Sequence, residues 1–194
     1  MRAAFYYDLF SPESYLAAES IITVLPAAQW IPVLAADLPG ADLLDGFRCQ
    51  TDRDAFCDRI ERLANKRGLQ DVRWPDPFPC DSAYAMRVAT YACQIGRAVA
   101  FSLAAFRQAF AGGRDLGAPD NVLIAAAACE MHPRAVIKAA QLGTIAHVLD
   151  EATALAARRG VHDVPAVWVP DGDHAGRVFH GEDALDGAVR ALIA

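Results

Sequence analysis

The sequence predicts an α/β protein in which a β-α-β unit and a β-β-α unit flank a long helical block. Apolar strand patterns occupy residues 3–7 and 29–34, with one helical pattern between them. Strand patterns then disappear from about residue 37 to residue 160, and return at 164–169 and 177–179. Because one helix joins the first two strands, these strands should be parallel. With 194 residues, 54% of them hydrophobic, the chain can bury a substantial core.

The first strand leads directly into a helix through the segment Phe5-Tyr6-Tyr7-Asp8-Leu9-Phe10-Ser11-Pro12-Glu13-Ser14-Tyr15-Leu16. Ser11 is the predicted N-cap, and Pro12 suits the first helical position, where its missing N–H costs nothing. The free N–H groups and the macrodipole of a helix N-terminus also favour an anion such as a thiolate, carboxylate or phosphate. Taken alone, the pattern indicates a helix cap, with an anion site as the alternative.

The remaining elements follow from apolar periodicity and from residues that begin or end helices. The first two helices are predicted at 12–25 and at 52–66, the second ending before Gly68. A third follows the proline-rich loop 74–79 and begins at the capping pair Asp81-Ser82. The others are predicted at 98–110, from the cap Asp120 to 129, at 133–141, from the cap Thr144 to 160, and at 182–193. The helix after Thr144 carries a wide apolar stripe that is predicted to be buried: Ile145, Val148, Leu149, Ala152, Leu155 and Ala156. The last helix should direct Leu185, Val189 and Leu192 inward.

Composition and charge exclude several classes of function. A net charge of −6 with scattered Lys and Arg argues against nucleic-acid binding. No apolar run reaches membrane-spanning length, and the N-terminal apolar stretch is too short for a signal peptide. The five cysteines form no C-x-x-C pair, which is typical of reduced thiols in the cytoplasm. The five histidines lack metal-ligand spacing, so no metal is expected.

The element order, with Ser11-Pro12-Glu13-Ser14-Tyr15 after the first strand and Gly160-Val161-His162-Asp163-Val164-Pro165 before the third, resembles the thioredoxin fold with an inserted helical domain. The disulfide oxidases of the DsbA-like branch carry C-P-x-C where this chain has two serines. The segment Ser11-Pro12-Glu13-Ser14-Tyr15 resembles the S-P-x-S-[YW] motif that the kappa-class glutathione transferases and the 2-hydroxychromene-2-carboxylate isomerases carry at this position. Segments 74–87, 96–110, 158–166 and 179–185 resemble further motifs of these families. The implied domains are a discontinuous thioredoxin-like domain, 1–38 and 161–194, and a helical insertion domain, 39–160.

The resemblance implies a site for glutathione. Ser11 would be the catalytic residue and would hydrogen-bond the glutathione sulfur. The backbone of Val164 would pair with the cysteinyl residue of the ligand beside a cis Pro165, and Asp183 would receive the γ-glutamyl ammonium. Glu13, Asp81 and Ala184 depart from the family pattern and make the site more acidic, so glutathione or another low-molecular-weight thiol is expected.

The implied activity is a thiol-dependent isomerase or transferase acting on an aromatic, electrophilic small molecule. Phe10, Trp74 and Phe78 could line the acceptor pocket, although packing in the core is the simpler role for most aromatic residues. Relatives are commonly dimers, so the resemblance implies a homodimer. The alternative is a non-catalytic thioredoxin-fold protein that binds a small molecule or thiol or acts as a scaffold. A disulfide oxidoreductase is disfavoured by the missing C-x-x-C pair.

Overall fold

A four-stranded sheet lies at the centre of the structure, a computed structural model that describes residues 2–40, 47–171, 176–181 and 183–193. The strands in these ranges are β1 (Ala4–Tyr7), β2 (Gln29–Pro32), β3 (Ala166–Val169) and β4 (Arg177–His180). The helices are α1 (Pro12–Val24), α2 (Gln50–Lys66), α3 (Ala83–Gln94), α4 (Ala98–Phe110), α5 (Pro119–Ala128), α6 (Pro133–Ala140), α7 (Gly143–Arg158) and α8 (Ala184–Ile193). Position 182, the predicted start of the last helix, lies outside the described residues.

The strand order in the sheet is β2-β1-β3-β4. Strands β1 and β2 are parallel, as the β-α-β pattern predicts, and Tyr7 pairs with Pro32. Strand β3 runs antiparallel to β1, with Tyr6 opposite Ala166, and β4 runs antiparallel to β3. This topology and its element order confirm the predicted α/β class and thioredoxin-like fold.

Two predicted helix caps are wrong. Helix α5 begins at Pro119, a favourable first helical residue, so Asp120 lies inside the first turn and Ala118 occupies the N-cap. Helix α7 begins at Gly143, with Leu142 at the N-cap, so Thr144 is already helical. The predicted capping residues therefore indicated that each helix exists, but not the residue at which it begins.

The hydrophobic core is continuous from the sheet into the helices between β2 and β3. The hydroxyl groups of Tyr7 and Ser102 lie 2.6 Å apart inside the core. The ring of Tyr15 on α1 stacks on Phe110 of α4 at 5.6 Å between centroids. The predicted domain boundaries after residues 38 and 160 stay a prediction. Side chains of the thioredoxin-like part and of the helical part share one core.

The wide apolar stripe of α7 is only partly buried. Ile145, Leu149 and Ala156 are buried, whereas Val148 and Leu155 are 39% and 38% exposed. In α8, Leu192 is 48% exposed and does not point inward as predicted. Periodicity identified the apolar residues, but the neighbouring elements cover only part of each stripe.

No helix in the described part of the chain is both long and apolar enough to cross a membrane.

Candidate functional site

The ends of several elements meet at one end of the sheet. Tyr6 lies opposite Ala166, so the chain after β1 and the chain before β3 reach this end together. The chain after β4 arrives there as well, because Gly181 donates its N–H to the carbonyl of Pro165 at 3.0 Å. The register therefore brings Ser11, Val164, Pro165 and the start of α8 to the same end of the molecule.

Ser11 is the N-cap of α1, as predicted. Its backbone is extended, and its Oγ accepts a hydrogen bond from the N–H of Ser14 at 3.1 Å. Because Oγ is the acceptor in this bond, the hydroxyl hydrogen can be donated to another group. Ser11 is 1% exposed, so the hydroxyl offers a ligand only a narrow contact. Ser14 is fully buried and its Oγ has no hydrogen-bond partner among the described residues.

The peptide bond between Val164 and Pro165 is cis, which confirms the prediction for Pro165. The N–H of Val164 donates to Oδ1 of Asp163 at 2.7 Å. This is the backbone donor that the family resemblance assigns to the ligand. A ligand that pairs with Val164 in strand fashion must therefore displace the carboxylate of Asp163.

Asp183 is exposed just before α8 and lines two cavities. It lines a cavity of about 350 Å³ together with Lys66 and Arg67, which come from the end of α2. A second cavity, of about 520 Å³, places Asp183 near Arg177 and Arg190. Sequence reasoning missed Lys66 and Arg67, because only the packing of α2 on α1 brings them to the cavity that Asp183 also lines.

Glu13 does not add an unpaired negative charge to the site. Its Oε1 accepts a hydrogen bond from Nη2 of Arg59 at 2.6 Å, and its side chain is 20% exposed. The Arg59 guanidinium also lies 5.2 Å from the centroid of the Phe56 ring. The acidity expected from Glu13 is therefore offset by a cation that lies 46 residues away in sequence.

Asp8 is a buried acid directly beneath the Ser11 turn. Its carboxylate accepts hydrogen bonds from the N–H groups of Phe10 and Ala35, at 3.3 and 3.0 Å. Burial raises the pKa of Asp8 to about 6, although the hydrogen bonds from the Ala35 backbone and the Ser82 side chain act to lower it. The sequence contained one indication of this buried acid: Asp8 is a single carboxylate inside an apolar stretch. A carboxylate is buried only where hydrogen-bond donors surround it.

Two histidines lie next to the cis-proline segment. The rings of His162 and His180 are stacked at 5.3 Å, and the N–H of His162 donates to Nε2 of His180 at 3.1 Å. Burial and the neighbouring His162 lower the pKa of His180. The accepting nitrogen of His180 is consequently the unprotonated one. Within the described residues, no group of three or more His, Cys, Asp or Glu side chains could hold a metal ion.

The three aromatic candidates for an acceptor pocket have different surroundings. Phe10 is only 2% exposed and belongs to the core. Trp74 and Phe78 are half-buried, and their rings are 4.7 Å apart between centroids. Nε1 of Trp74 donates to Glu61 at 2.7 Å, and Phe56 packs beside both rings. The role of these residues in an acceptor pocket therefore stays a prediction. Of the three, Trp74 and Phe78 are partly exposed and could contact a ligand.

The strand order and the helices between β2 and β3 are those of a thioredoxin-like protein of the DsbA type. The chain belongs to the DSBA-like thioredoxin domain family, whose model matches residues 3–192. No curated protein sequence matches the chain.

Solved structures similar to the chain include enzymes of two kinds. A 2-hydroxychromene-2-carboxylate isomerase superposes with a TM-score of 0.82 at 18% identity, covering 99% of this chain and 94% of the isomerase. A probable DsbA oxidoreductase from Streptomyces coelicolor gives 0.73 at 17% identity, covering 99% and 88%. The cytosolic disulfide reductase DsbM from Pseudomonas aeruginosa, in a structure with GSH, gives 0.67 at 15% identity, covering 100% and 98%. At these identities the likeness shows a shared fold.

Proposed function

We propose that this protein binds a low-molecular-weight thiol at the Ser11 end of the sheet, with glutathione as the first candidate. The bound thiol would serve an isomerase or transferase reaction on an aromatic, electrophilic small molecule. The observation that carries the proposal is the position of the Ser11 hydroxyl, at the N-terminus of a 13-residue helix and at the same end of the sheet as cis Pro165.

Ser11 can stabilise a thiolate in two ways. Its hydroxyl can donate a hydrogen bond to the sulfur, and the N-terminus of α1 presents the positive end of the helix dipole. Both effects favour the charged form of a thiol and lower its pKa. A thiolate supplies reversible addition to a conjugated electrophile, and the role of the protein is to ionise and position it.

The charges around Asp183 fit a γ-glutamyl group. That group carries one ammonium and one carboxylate, and the cavity that Asp183 lines contains two cations, Lys66 and Arg67, and a second acid, Asp186. Asp183 would pair with the ammonium, while the cations of α2 would attract the carboxylate. These two cations supply positive charge that Ala184, which stands where the family pattern has arginine, cannot provide.

The similar structures support thiol chemistry of this general kind but not a choice of reaction. One is an isomerase, and another is a disulfide reductase whose structure was solved with GSH. Disulfide exchange needs a protein thiolate, and this chain has serine at both positions of the S-P-x-S motif. A thiol-binding protein without turnover is the alternative to the isomerase or transferase.

Calorimetry with glutathione tests the first step. We expect saturable binding at millimolar glutathione or below. In a pH titration, the ultraviolet absorbance of the bound thiolate should appear at a pH below the pKa of free glutathione. Ser11→Ala should raise the pKa of the bound thiol by about 1 or more, because a hydrogen bond to a charged group contributes roughly 1.5–3 kcal/mol. No heat of binding at millimolar glutathione would contradict the glutathione form of the proposal.

Two further variants separate this role from helix capping. Ser11→Thr keeps a hydroxyl and a capping side chain, so it should retain the lowered thiol pKa. Ser14→Ala makes the same substitution as Ser11→Ala three residues later, at a fully buried hydroxyl that cannot reach a ligand. It should leave the thiol pKa unchanged. If Ser11→Ala and Ser14→Ala behave alike, Ser11 has no role in thiolate formation.

A further inference from the structure

A cavity of about 350 Å³ lies over the outer edge of β2, between α3 and α7. We name it the β2 cavity. Its floor includes Trp30 and Ile31 of β2, and one wall is formed by Val148, Ala152 and Leu155 of α7. None of its lining residues belongs to the candidate thiol site. Its volume falls within the range of small-molecule pockets, roughly 300–1,000 Å³.

The wall contributed by α7 is an apolar stripe that the core does not use. Val148, Ala152 and Leu155 are spaced by four and three residues, so they share one face of the helix. The stripe that faces the core is formed instead by Ile145, Leu149 and Ala156, which are all buried. Val148 and Leu155 remain 39% and 38% exposed at the β2 cavity, so α7 presents apolar surface to an open concavity.

The lining of the β2 cavity specifies the chemistry of a ligand. None of its eleven lining residues is charged or a histidine, although 22% of the chain is Asp, Glu, Lys or Arg. Its hydrogen-bonding side chains are the amides of Gln29 and Gln94, the hydroxyls of Tyr6 and Thr90 and the thiol of Cys93. The Tyr6 hydroxyl accepts from Arg159, and the Thr90 hydroxyl donates to the Met86 carbonyl, so the two amides are the main groups left for a ligand. A charged ligand would lose hydration here without gaining an ionic partner. A neutral, largely apolar molecule with one or two hydrogen-bonding groups would gain by burying its surface.

We infer that the β2 cavity is a second binding site, for a neutral apolar small molecule of about the size of a substituted bicyclic aromatic. A macromolecular partner would need a broad complementary surface, about 800 Å² on each side. A flat exposed face would indicate a macromolecular partner. The β2 cavity is concave, which favours a small molecule. The site goes beyond the proposed thiol chemistry and does not depend on it.

A matched pair of fluorescent probes tests the charge preference. N-phenyl-1-naphthylamine is neutral, and 8-anilinonaphthalene-1-sulfonate has the same aromatic framework with a sulfonate added. The neutral probe should bind saturably to the 194-residue chain, and at least about tenfold more tightly than the sulfonate. Saturating glutathione should not displace it. Equal or tighter binding of the sulfonate would overturn the inference.

A matched pair of variants tests the location. Ala152→Phe places a ring inside the β2 cavity, whereas Ala154→Phe makes the same change at an exposed position of α7 that does not line it. The first variant should weaken binding of the neutral probe at least about tenfold, and the second should leave binding unchanged. Equal binding to both variants would place the probe elsewhere and overturn the inference.

The wild-type chain provides a measurement that does not depend on the folding of Ala152→Phe. In methyl NMR spectra, the neutral probe should shift the signals of Ile31, Val148 and Leu155. The exposed methyl groups of Ile124 and Ile137, outside the β2 cavity, should stay in place. The reverse pattern would overturn the inference. So would a dimer that covers Val148 and Leu155 and binds no probe, which would assign this face to a second copy of the chain.

Discussion

At the scale of single residues, Asp8 connects the candidate site to three segments of the chain. It accepts hydrogen bonds from the backbone of the Ser11 turn and from Ala35, after β2, and its pKa is lowered by the Ser82 side chain before α3. Burial still dominates and leaves the pKa of Asp8 at about 6, against 3.8 for an exposed aspartate. The turn that positions Ser11 therefore rests on a carboxyl group whose charge changes near pH 6.

We predict that Asp8 makes the protein less stable as the pH rises. The folded pKa is above the unfolded one, so the stabilising contribution of Asp8 is complete below pH 4 and is lost as the pH passes through about 6. The free energy of unfolding of the wild type minus that of Asp8→Asn should fall by roughly 2.4 kcal/mol between pH 4 and pH 7. Urea unfolding at several pH values measures this difference. A difference that does not change with pH would contradict the raised pKa.

At the scale of elements, the contact of α8 with β4 depends on a glycine. A Cβ added to Gly187 would lie 2.5 Å from Cδ1 of the Phe179 ring. The close approach of helix and strand places Asp183, at the start of α8, beside the end of the sheet that carries Pro165. Packing at Gly187 therefore contributes to the geometry of the candidate site.

We predict that Gly187→Ala destabilises the protein by about 1–3 kcal/mol, because the added methyl group overpacks this contact. Gly143→Ala is the matched control. Gly143 is the first residue of α7, and an added Cβ would have no heavy atom within 4 Å, so alanine should be neutral or slightly stabilising. Thermal unfolding measures both variants. An unchanged melting temperature for Gly187→Ala would show that α8 can shift away from β4 at little cost.

At the scale of the whole molecule, the thiols differ in their exposure to solvent. All five cysteines are free, and only Cys49 is exposed. Burial raises the pKa of Cys80 and of Cys93 to about 11, so these thiols stay protonated at neutral pH. The structure thus lacks a described cysteine pair that could exchange disulfides at the end of the sheet.

We predict that Ellman's reagent modifies one thiol rapidly in the native protein and all five after denaturation. Cys49→Ser should abolish the rapid phase, and the protein should not reduce insulin disulfides with dithiothreitol. The reason is that Cys57, Cys80 and Cys129 are buried, and that Cys93, half-buried at the β2 cavity, has a pKa raised to about 11 and is therefore weakly nucleophilic. Insulin reduction that persists above the background rate would return a disulfide oxidoreductase to consideration.

Features that depend on residues close together along the chain could be predicted from the sequence. The order of strands and helices, the Ser11 cap and the position of the cis proline follow from local patterns and family motifs, and the structure confirms them. Local patterns were less reliable for helix starts, because Asp120 and Thr144 can cap a helix or continue one.

Features that depend on which distant segments become neighbours are visible only in the folded chain. Arg59 pairs with Glu13, and Lys66 and Arg67 line the same cavity as Asp183. The apolar stripe of α7 divides into a buried half and a half that faces the β2 cavity. None of these contacts has a signature within one or two helical turns of sequence. The register of the sheet and the packing of helices on it determine them, and they set the charge and shape of the candidate sites.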